Sequence, residues 1–163
     1  MNPFAILILA YVTIERLVEL AFSSRNTKRL LARGAREHAA GHYPLIVAVH
    51  ALWILTLWLL AYNRTPDAFW LALYIILQFA RFWVLATLGP RWTTRIIVLP
   101  GEDLVKEGPY RFLNHPNYWI VAGEIAVLPL VFGLPLVALV FTILNAAVLT
   151  IRVREENRAL RPR

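Results

Sequence analysis

The sequence contains no cysteine, and this single absence excludes several kinds of chemistry. Disulfide bonds, thiolate zinc sites, cysteine nucleophiles and palmitoyl anchors all require the missing thiol. The G-x-S-x-G, Walker and G-x-G-x-x-G patterns are also missing, so hydrolase and kinase functions have no support. Acidic residues are scarce as well, with ten Asp and Glu against 17 Lys and Arg, which gives a net charge of +7.

Hydrophobic residues, in contrast, make up 59% of the chain, and the mean hydropathy is +0.57. This share is well above that of soluble domains and indicates a membrane protein. The positive charge does not indicate nucleic-acid binding, because 14 of the 17 basic residues fall in three segments, 25–36, 91–111 and 152–163. These segments would lie on one side of a bilayer, as the positive-inside rule expects of cytoplasmic segments.

Five apolar segments are candidates to cross a bilayer core, which needs roughly 20 residues of helix. They are predicted at residues 3–22, 43–62, 68–88, 118–132 and 136–151. The first lacks the basic start and the cleavage site of a secretory signal, so we expect it to be retained. The pattern predicts an all-α polytopic protein in a single domain, 1–163, of about five transmembrane helices. Its N-terminus would lie outside and its C-terminal helix extension in the cytoplasm.

Five charged residues interrupt these spans, among them Glu124 in the fourth, and charges inside a bilayer are costly unless they are paired or face a cavity. Glu15, Arg16 and Glu19 lie in the first span, either as site residues or at the membrane interface with Arg16 reaching towards headgroups. Arg81 lies well inside the third span. Because an unpaired guanidinium there would be expensive, Glu15, Glu19 or Glu124 should neutralise it, in a structural ion pair or at a ligand site.

Two long polar stretches separate the spans. Residues 23–42 are basic, and we expect part of them to form an amphipathic helix on the membrane surface. Residues 89–117 form a connection that is longer than structureless loops usually are, and such loops tend to be functional. Within it, the apolar run 96–99 is predicted to be a buried extended piece. Pro116 restricts the backbone of His115 and so fixes where its imidazole points.

This loop and the C-terminal tail carry the most specific pattern of the sequence. Residues 108–118 read Gly-Pro-Tyr-Arg-Phe-Leu-Asn-His-Pro-Asn-Tyr, and residues 152–156 read Arg-Val-Arg-Glu-Glu. Together they resemble the signature of the isoprenylcysteine carboxyl methyltransferase family, within the wider group of membrane methyltransferases that includes phospholipid methyltransferases. Similarity to short bacterial members extends over nearly the whole chain, and some such members are associated with methylation of alkylpyrones.

The resemblance implies a site for S-adenosylmethionine, built from a cytoplasmic loop, the last helix pair and the tail. The implied cofactor-binding residues are Lys106, Gly108, Pro109, Tyr110, His115, Pro116, Tyr118, Glu155 and Glu156. The sulfonium of this cofactor is a cation, which tyrosine faces and carboxylates can stabilise. The family usually has Arg directly before His-Pro, where this chain has Asn114. A clamp for the cofactor carboxylate would then come from Arg111, Arg152 or Arg154.

The catalytic candidates are His115, Glu124 and Arg152. Methyl transfer from a sulfonium depends mostly on alignment and the exclusion of water. A carboxylate acceptor needs no base, whereas an enol, phenol or amine acceptor would be helped by His115 or Glu124. Each also has a plainer interpretation, since His115 could only bind cofactor and Glu124 could only pair with Arg81.

The function expected from these observations is O-methylation, at a carboxyl or at an enol or hydroxyl group, of an isoprenoid or alkyl-chain lipid. The substrate would come from the bilayer, at the inner face of a bacterial plasma membrane. Alternatives are phospholipid N-methylation, a related scaffold that uses a nicotinamide dinucleotide to reduce a lipid, and a structural protein whose loop packs on a partner. No metal site is expected, because Gly41 interrupts the helical spacing of His38 and His42. The sequence fixes neither the acceptor nor the oligomeric state.

Overall fold

Helices account for most of the residues described by the structure, a computed structural model that covers residues 1–160. The five α-helices are α1 Pro3–Ala32, α2 Tyr43–Ala61, α3 Ala68–Leu88, α4 Pro116–Val131 and α5 Pro135–Ala159. Two short strands, β1 Arg36–His38 and β2 Ile96–Val98, and three 3-10 turns, Ala40–His42, Gly89–Arg91 and Gly108–Arg111, complete the elements. The predicted all-α membrane fold is confirmed. Residues 161–163, the end of the third basic segment, lie outside the described residues.

Three helices among residues 1–160 are long and apolar enough to cross a membrane, at Ala40–Ala61, Ala68–Arg91 and Pro135–Ala159. Helix α4 is apolar but has only 16 residues. Helix α1 has 30 residues but carries Glu15, Arg16 and Glu19 on its central turns. Both nevertheless contribute buried apolar side chains to the same core as the three apolar helices, so the five form one bundle.

The helices alternate in direction, and hydrogen bonds bring the short connections together at one end of the bundle. The Asn2 N–H donates to the Tyr62 carbonyl at 3.2 Å, and the Asp67 N–H donates to the Val131 carbonyl at 2.7 Å. We call this the hairpin end. The end of α1, the 89–115 connection and the end of α5 therefore lie at the opposite end, which we call the loop end. All three basic segments are at the loop end, so the grouping expected from their charge agrees with the topology.

Helix α1 differs from its sequence-based prediction, because it continues without a break from Pro3 to Ala32. Residues 23–32 of the basic stretch 23–42 are helical as expected, but as a continuation of α1, and their position on the membrane surface stays a prediction. Nothing between Phe22 and Ala32 breaks a helix, since neither Gly nor Pro occurs there and Lys, Arg and Leu are good helix formers. The helix ends only before Gly34, whose φ of +92° suits glycine.

The predicted buried extended piece at 96–99 is confirmed as β2, which pairs antiparallel with β1 in the register Arg36 to Val98. The main core lies between the helices and includes Trp53, Leu57, Leu128 and Phe132, each at most 1% exposed. A second, smaller apolar cluster of Val84, Trp92 and Ile120 packs with Phe22, Leu88 and Tyr110 just below the loop. This second cluster forms an apolar layer between the bundle interior and the loop end.

Candidate functional site

A cavity of about 650 Å³ opens at the loop end, within the range of about 300–1,000 Å³ that is usual for small-molecule sites. Helix ends, β2, the 102–118 segment and the last turns of α5 all contribute to its wall. Six of the residues predicted from the sequence line it: Lys106, Tyr110, His115, Tyr118, Arg152 and Glu156. The loop and the tail therefore meet at one place, as the family resemblance implies.

Four of these side chains interact directly, and we call them the cavity cluster: His115, Tyr118, Arg152 and Glu156. The Tyr118 hydroxyl donates to Glu156 and accepts from Arg152 Nε at 2.7 Å. His115 Nδ1 lies 3.7 Å from the Glu156 carboxylate, and its ring stacks on Tyr118 with the centroids 5.3 Å apart. The cluster thus presents an anionic, a cationic and an aromatic surface to one cavity.

Local sequence explains how these groups converge. Pro116 occupies the first turn of α4, where its missing N–H costs nothing, so the helix begins directly after His115. Helix α5 continues beyond its apolar part to Ala159 and carries Arg152 and Glu156 four residues apart, on one face. Glu155 is next to Glu156 in the helix and therefore points in another direction.

Arg152 is held from two sides, although it is only 7% exposed. Its Nη1 donates to the Thr94 carbonyl at 2.6 Å, while Nε is bound to Tyr118. Thr94 is in turn tied to α1 by the Ser23 hydroxyl, which accepts from the Thr94 N–H at 2.8 Å. The guanidinium is thereby fixed in orientation, and its Nη2 forms no hydrogen bond within residues 1–160.

Two further polar groups in the cavity wall are buried without a hydrogen-bond partner among the described residues. They are the side-chain oxygen of Asn117 and the indole N–H of Trp92. Buried polar groups are nearly always paired, so a ligand that brought a matching donor and acceptor would complete both. Sequence reasoning missed both residues as site candidates. Asn117 stands inside the recognised motif and could have been found there, whereas Trp92 carries no motif signal.

Tyr110 lines the same cavity from the 3-10 turn Gly108–Arg111. Its burial, together with the neighbouring Glu156 carboxylate, raises the pKa of Tyr110 well above its ordinary value. The phenol therefore stays neutral at physiological pH and offers an uncharged ring and hydroxyl to a ligand.

The other predicted cofactor-binding residues do not line the cavity. Gly108 has a φ of +54° and lies against α3 so closely that a Cβ would collide with the Thr87 hydroxyl. Pro109 and Pro116 are buried supports of the turn and of α4. Glu155 instead pairs with Arg158 at 2.6 Å. Cofactor contact by these four residues stays a prediction.

Glu124, predicted as a catalytic candidate, lies in a different group of charges inside the bundle. We call Glu15, Arg16, Glu19, Arg81 and Glu124 the embedded cluster. Arg81 donates to Glu19, at 2.6 Å from Nη2, and to Glu124 at 3.1 Å. Arg16 reaches Glu19 at 2.9 Å and Glu124 at 2.8 Å. The partner of Arg81 is thus identified as both Glu19 and Glu124, and Glu124 is engaged in an ion pair away from the cavity.

Of the three arginines predicted to hold the cofactor carboxylate, one lies in the cavity wall and two do not. Arg152 lines the cavity, whereas Arg111 and Arg154 are exposed and are not part of its wall.

His38 lies in β1 and His42 in the following 3-10 turn, so they do not share a helix face. Within residues 1–160, no three His, Cys, Asp or Glu side chains come close enough to hold a metal ion.

Comparison with known proteins agrees with this geometry. The profile of the isoprenylcysteine carboxyl methyltransferase (ICMT) family matches residues 70–162, more than half of the chain and all of the cavity cluster. The uncharacterized protein YpbQ of Bacillus subtilis (strain 168) is 38% identical over 159 residues, covering 94% of this chain and 95% of its own length. An uncharacterized protein of Haemophilus influenzae is 26% identical over 152 residues, covering 89% and 88%. No solved structure is significantly similar.

Proposed function

This chain belongs to the isoprenylcysteine carboxyl methyltransferase family, and from that premise we propose that it transfers a methyl group from S-adenosylmethionine to an oxygen of a lipophilic acceptor. Membership suggests a membrane methyltransferase; the cofactor, the acceptor and the atom methylated are our inference. The observation that carries the proposal is the cavity cluster together with Tyr110, where a carboxylate, a fixed guanidinium and two tyrosines surround a ligand-sized space.

The residues present fit this cofactor. It bears an ammonium, a carboxylate and a sulfonium at one end and a purine at the other. Glu156 and the tyrosine rings would stabilise the positive groups, and the free Nη2 of Arg152 would hold the carboxylate. The orphaned Asn117 oxygen and Trp92 N–H suit the amino group and the ring nitrogens of a purine. The apolar wall includes Leu30, Leu88, Val105 and Leu160.

The work of the protein in this proposal is alignment and exclusion of water. When bound, S-adenosylmethionine supplies an activated methyl group, which passes to the acceptor as the C–O bond forms, the C–S bond breaks and sulfur keeps the electron pair. A carboxylate acceptor needs no proton removed. For an enol or hydroxyl acceptor, His115 is the base that we propose, since it lines the cavity and Glu124 does not.

We further propose that the loop end faces the cytoplasm of a bacterial cell. The concentration of basic residues at that end supports this orientation, which leaves the N-terminus outside. The acceptor would enter sideways from the inner leaflet, because the cavity lies where the spans end. A single chain would hold both cofactor and acceptor; the proposal requires no metal.

The experiment that tests the cofactor is equilibrium binding of radiolabelled S-adenosylmethionine to the detergent-purified full chain. We expect saturable binding that S-adenosylhomocysteine displaces. The absence of binding, or displacement by a nicotinamide dinucleotide in its place, would overturn the proposal in favour of the related-scaffold reductase.

The acceptor is tested by mass spectrometry of membrane lipids from cells that express the chain or its Glu156→Gln variant. We expect lipids heavier by one methylene group only with the unchanged chain. A gain confined to phosphatidylethanolamine derivatives would show N-methylation and contradict the proposed O-methylation.

A further inference from the structure

A second cavity, of about 360 Å³, lies at the loop end on the side of α1. One face of α1, the start of α2 and the Thr94–Arg95 segment form its wall. The α1 residues in this wall are Leu20, Ser23, Ser24, Thr27, Lys28 and Leu31, whose spacing places them on a single helix face. The family signature includes none of these residues, and only Ser23 also supports the cavity cluster, through its bond to Thr94.

The hydroxyl of Thr27 is the unusual feature of this cavity. Thr27 is only 8% exposed, and its Oγ1 is buried without any hydrogen-bond partner in the described residues. Three of the five other helical threonines, Thr13, Thr87 and Thr150, donate to the carbonyl four residues earlier at 2.7 to 2.8 Å. Thr27 makes no such bond, although it lines the cavity. An unpaired buried hydroxyl is costly, so a ligand group that reaches it once the Thr27 side chain turns towards the cavity would recover that cost.

The charges around this hydroxyl favour an anion. Lys28 is exposed, lines the cavity and takes part in none of the ion pairs found within residues 1–160. Arg95 also lines it, with its guanidinium 4.5 Å from the centre of the Tyr43 ring. The one carboxylate in the wall, Glu37, is already paired with Arg95 at 2.8 Å. The cavity therefore keeps one uncompensated positive charge beside hydroxyl donors, which is the chemistry that recognises a phosphate or carboxylate group.

The position of the cavity favours an anion that is carried on an apolar chain. Tyr43 begins the apolar helix α2, so the cavity lies where the span meets the polar loop end. Leu20 and Leu31 flank it and are 39% and 42% exposed. Exposed leucines beside a cationic pocket at this depth match a headgroup with its acyl chains alongside the helix.

We propose that this second cavity binds the anionic headgroup of a phospholipid of the same leaflet, with Thr27 and Lys28 as its main contacts. The proposal does not depend on methyl transfer, because the site is built mainly on α1, whereas the cavity cluster lies at the start of α4 and on α5. Its wall includes Thr94, whose carbonyl holds Arg152, so a bound lipid would also brace the segment that orients the cavity cluster.

The test is native mass spectrometry of the detergent-purified full chain, titrated with dioleoylphosphatidylglycerol or with dioleoylphosphatidylcholine. We expect the first lipid to be retained preferentially. Thr27→Val and Lys28→Gln should each weaken that retention. For Lys28→Gln the loss should be about fivefold, because a positive charge near the headgroup is removed. Matched controls are Thr150→Val, which removes a hydroxyl bonded to its own helix, and Arg29→Gln, which removes an exposed neighbouring charge.

Three results would overturn the proposal. One is equal retention of the two lipids by the unchanged chain, and another is a loss in Arg29→Gln as large as in Lys28→Gln, which would show a diffuse basic surface. The third is displacement of the lipid by inorganic phosphate, which would show a site for a free anion. Circular dichroism and S-adenosylmethionine binding, both measured in detergent without added lipid and expected to be unchanged in Thr27→Val, separate loss of the lipid site from misfolding and from failure of the proposed enzyme.

Discussion

The embedded cluster and the cavity cluster use the same residue types, arginine and glutamate, at two depths of one bundle. In the embedded cluster, Arg81 binds carboxylates from both α1 and α4, and Arg16 does the same. In the cavity cluster, Arg152 donates its hydrogen bonds to the Tyr118 hydroxyl and the Thr94 carbonyl. Glu156 has no guanidinium partner among the described residues. The guanidiniums of the embedded cluster are each paired with carboxylates inside the bundle, whereas the cavity cluster leaves charge for a ligand.

The apolar layer of Val84, Trp92 and Ile120 lies between the two clusters in sequence as well as in space. Val84 follows Arg81 by three residues, and Ile120 precedes Glu124 by four, so each is one helical turn nearer the loop end. Such a layer keeps cavity water and ligand away from the embedded charges. The comparison therefore assigns a structural role to the embedded cluster and a binding role to the cavity cluster.

The largest effect is expected from breaking the embedded cluster with Arg81→Met. This change leaves Glu19 and Glu124 to share Arg16, and removing one partner of a buried ion pair typically costs about 3–5 kcal/mol. The free energy of unfolding should fall by about that amount, measured by circular dichroism during titration of detergent micelles with sodium dodecyl sulfate. Arg29→Met, at an exposed site on α1, is the control and should change it by no more than about 0.5 kcal/mol.

A second substitution sharpens this test. Arg81→Met combined with Glu19→Gln removes both charges of the closest pair, and it should recover part of the lost stability, because the unpaired carboxylate is then gone. If Arg81→Met alone unfolds no more readily than the Arg29 control, the inner charges do not hold the helices together and their assigned role is wrong.

Substitutions of the adjacent residues Glu155 and Glu156 on α5 should differ in their effect on cofactor affinity. Glu156→Gln keeps the shape of the side chain but removes its charge. Hydrogen bonds to charged groups contribute about 1.5–3 kcal/mol, so the affinity for S-adenosylmethionine should fall by roughly 10- to 100-fold. Glu155→Gln should change it by no more than about twofold, because Glu155 pairs with Arg158 outside the cavity. Isothermal titration calorimetry measures both.

The outcome also decides whether Glu156 alone binds the cofactor, as the structure indicates, or whether Glu155 does so too, as the family resemblance implies. An equal loss in the two variants would mean that Glu155 turns into the site when cofactor binds, as the resemblance implies. A large loss of stability in Glu156→Gln would contradict the roles assigned to the two clusters, since the cavity cluster is expected to bind a ligand rather than to stabilise the fold.

The sequence predicted the bundle well because each signal was local. Apolar runs marked the helices, and the motifs at 108–118 and 152–156, through their resemblance to a known family, marked the site. The end of α1 was predicted too early, since a change from apolar to basic residues marks the membrane surface but does not stop a helix. The network around Arg81 was predicted only as three possible partners, because the choice depends on how α1, α3 and α4 pack. Trp92 was missed for the same reason, as its role depends on an indole N–H that tertiary packing leaves unpaired.

The smallest effect is expected from Glu15→Gln, which tests how the embedded cluster is balanced. The cluster holds three carboxylates and two guanidiniums, and Glu15 is the outermost carboxylate, 3.6 Å from Arg16 with one oxygen unpaired. Arg16 already has closer partners in Glu19 and Glu124, so neutralising Glu15 removes an excess negative charge at little cost. Unfolding in the same dodecyl sulfate titration should change by less than about 1 kcal/mol, in either direction. A loss as large as that of Arg81→Met would instead show that all three carboxylates are needed, and that the excess charge is itself balanced by a cation or a proton inside the bundle.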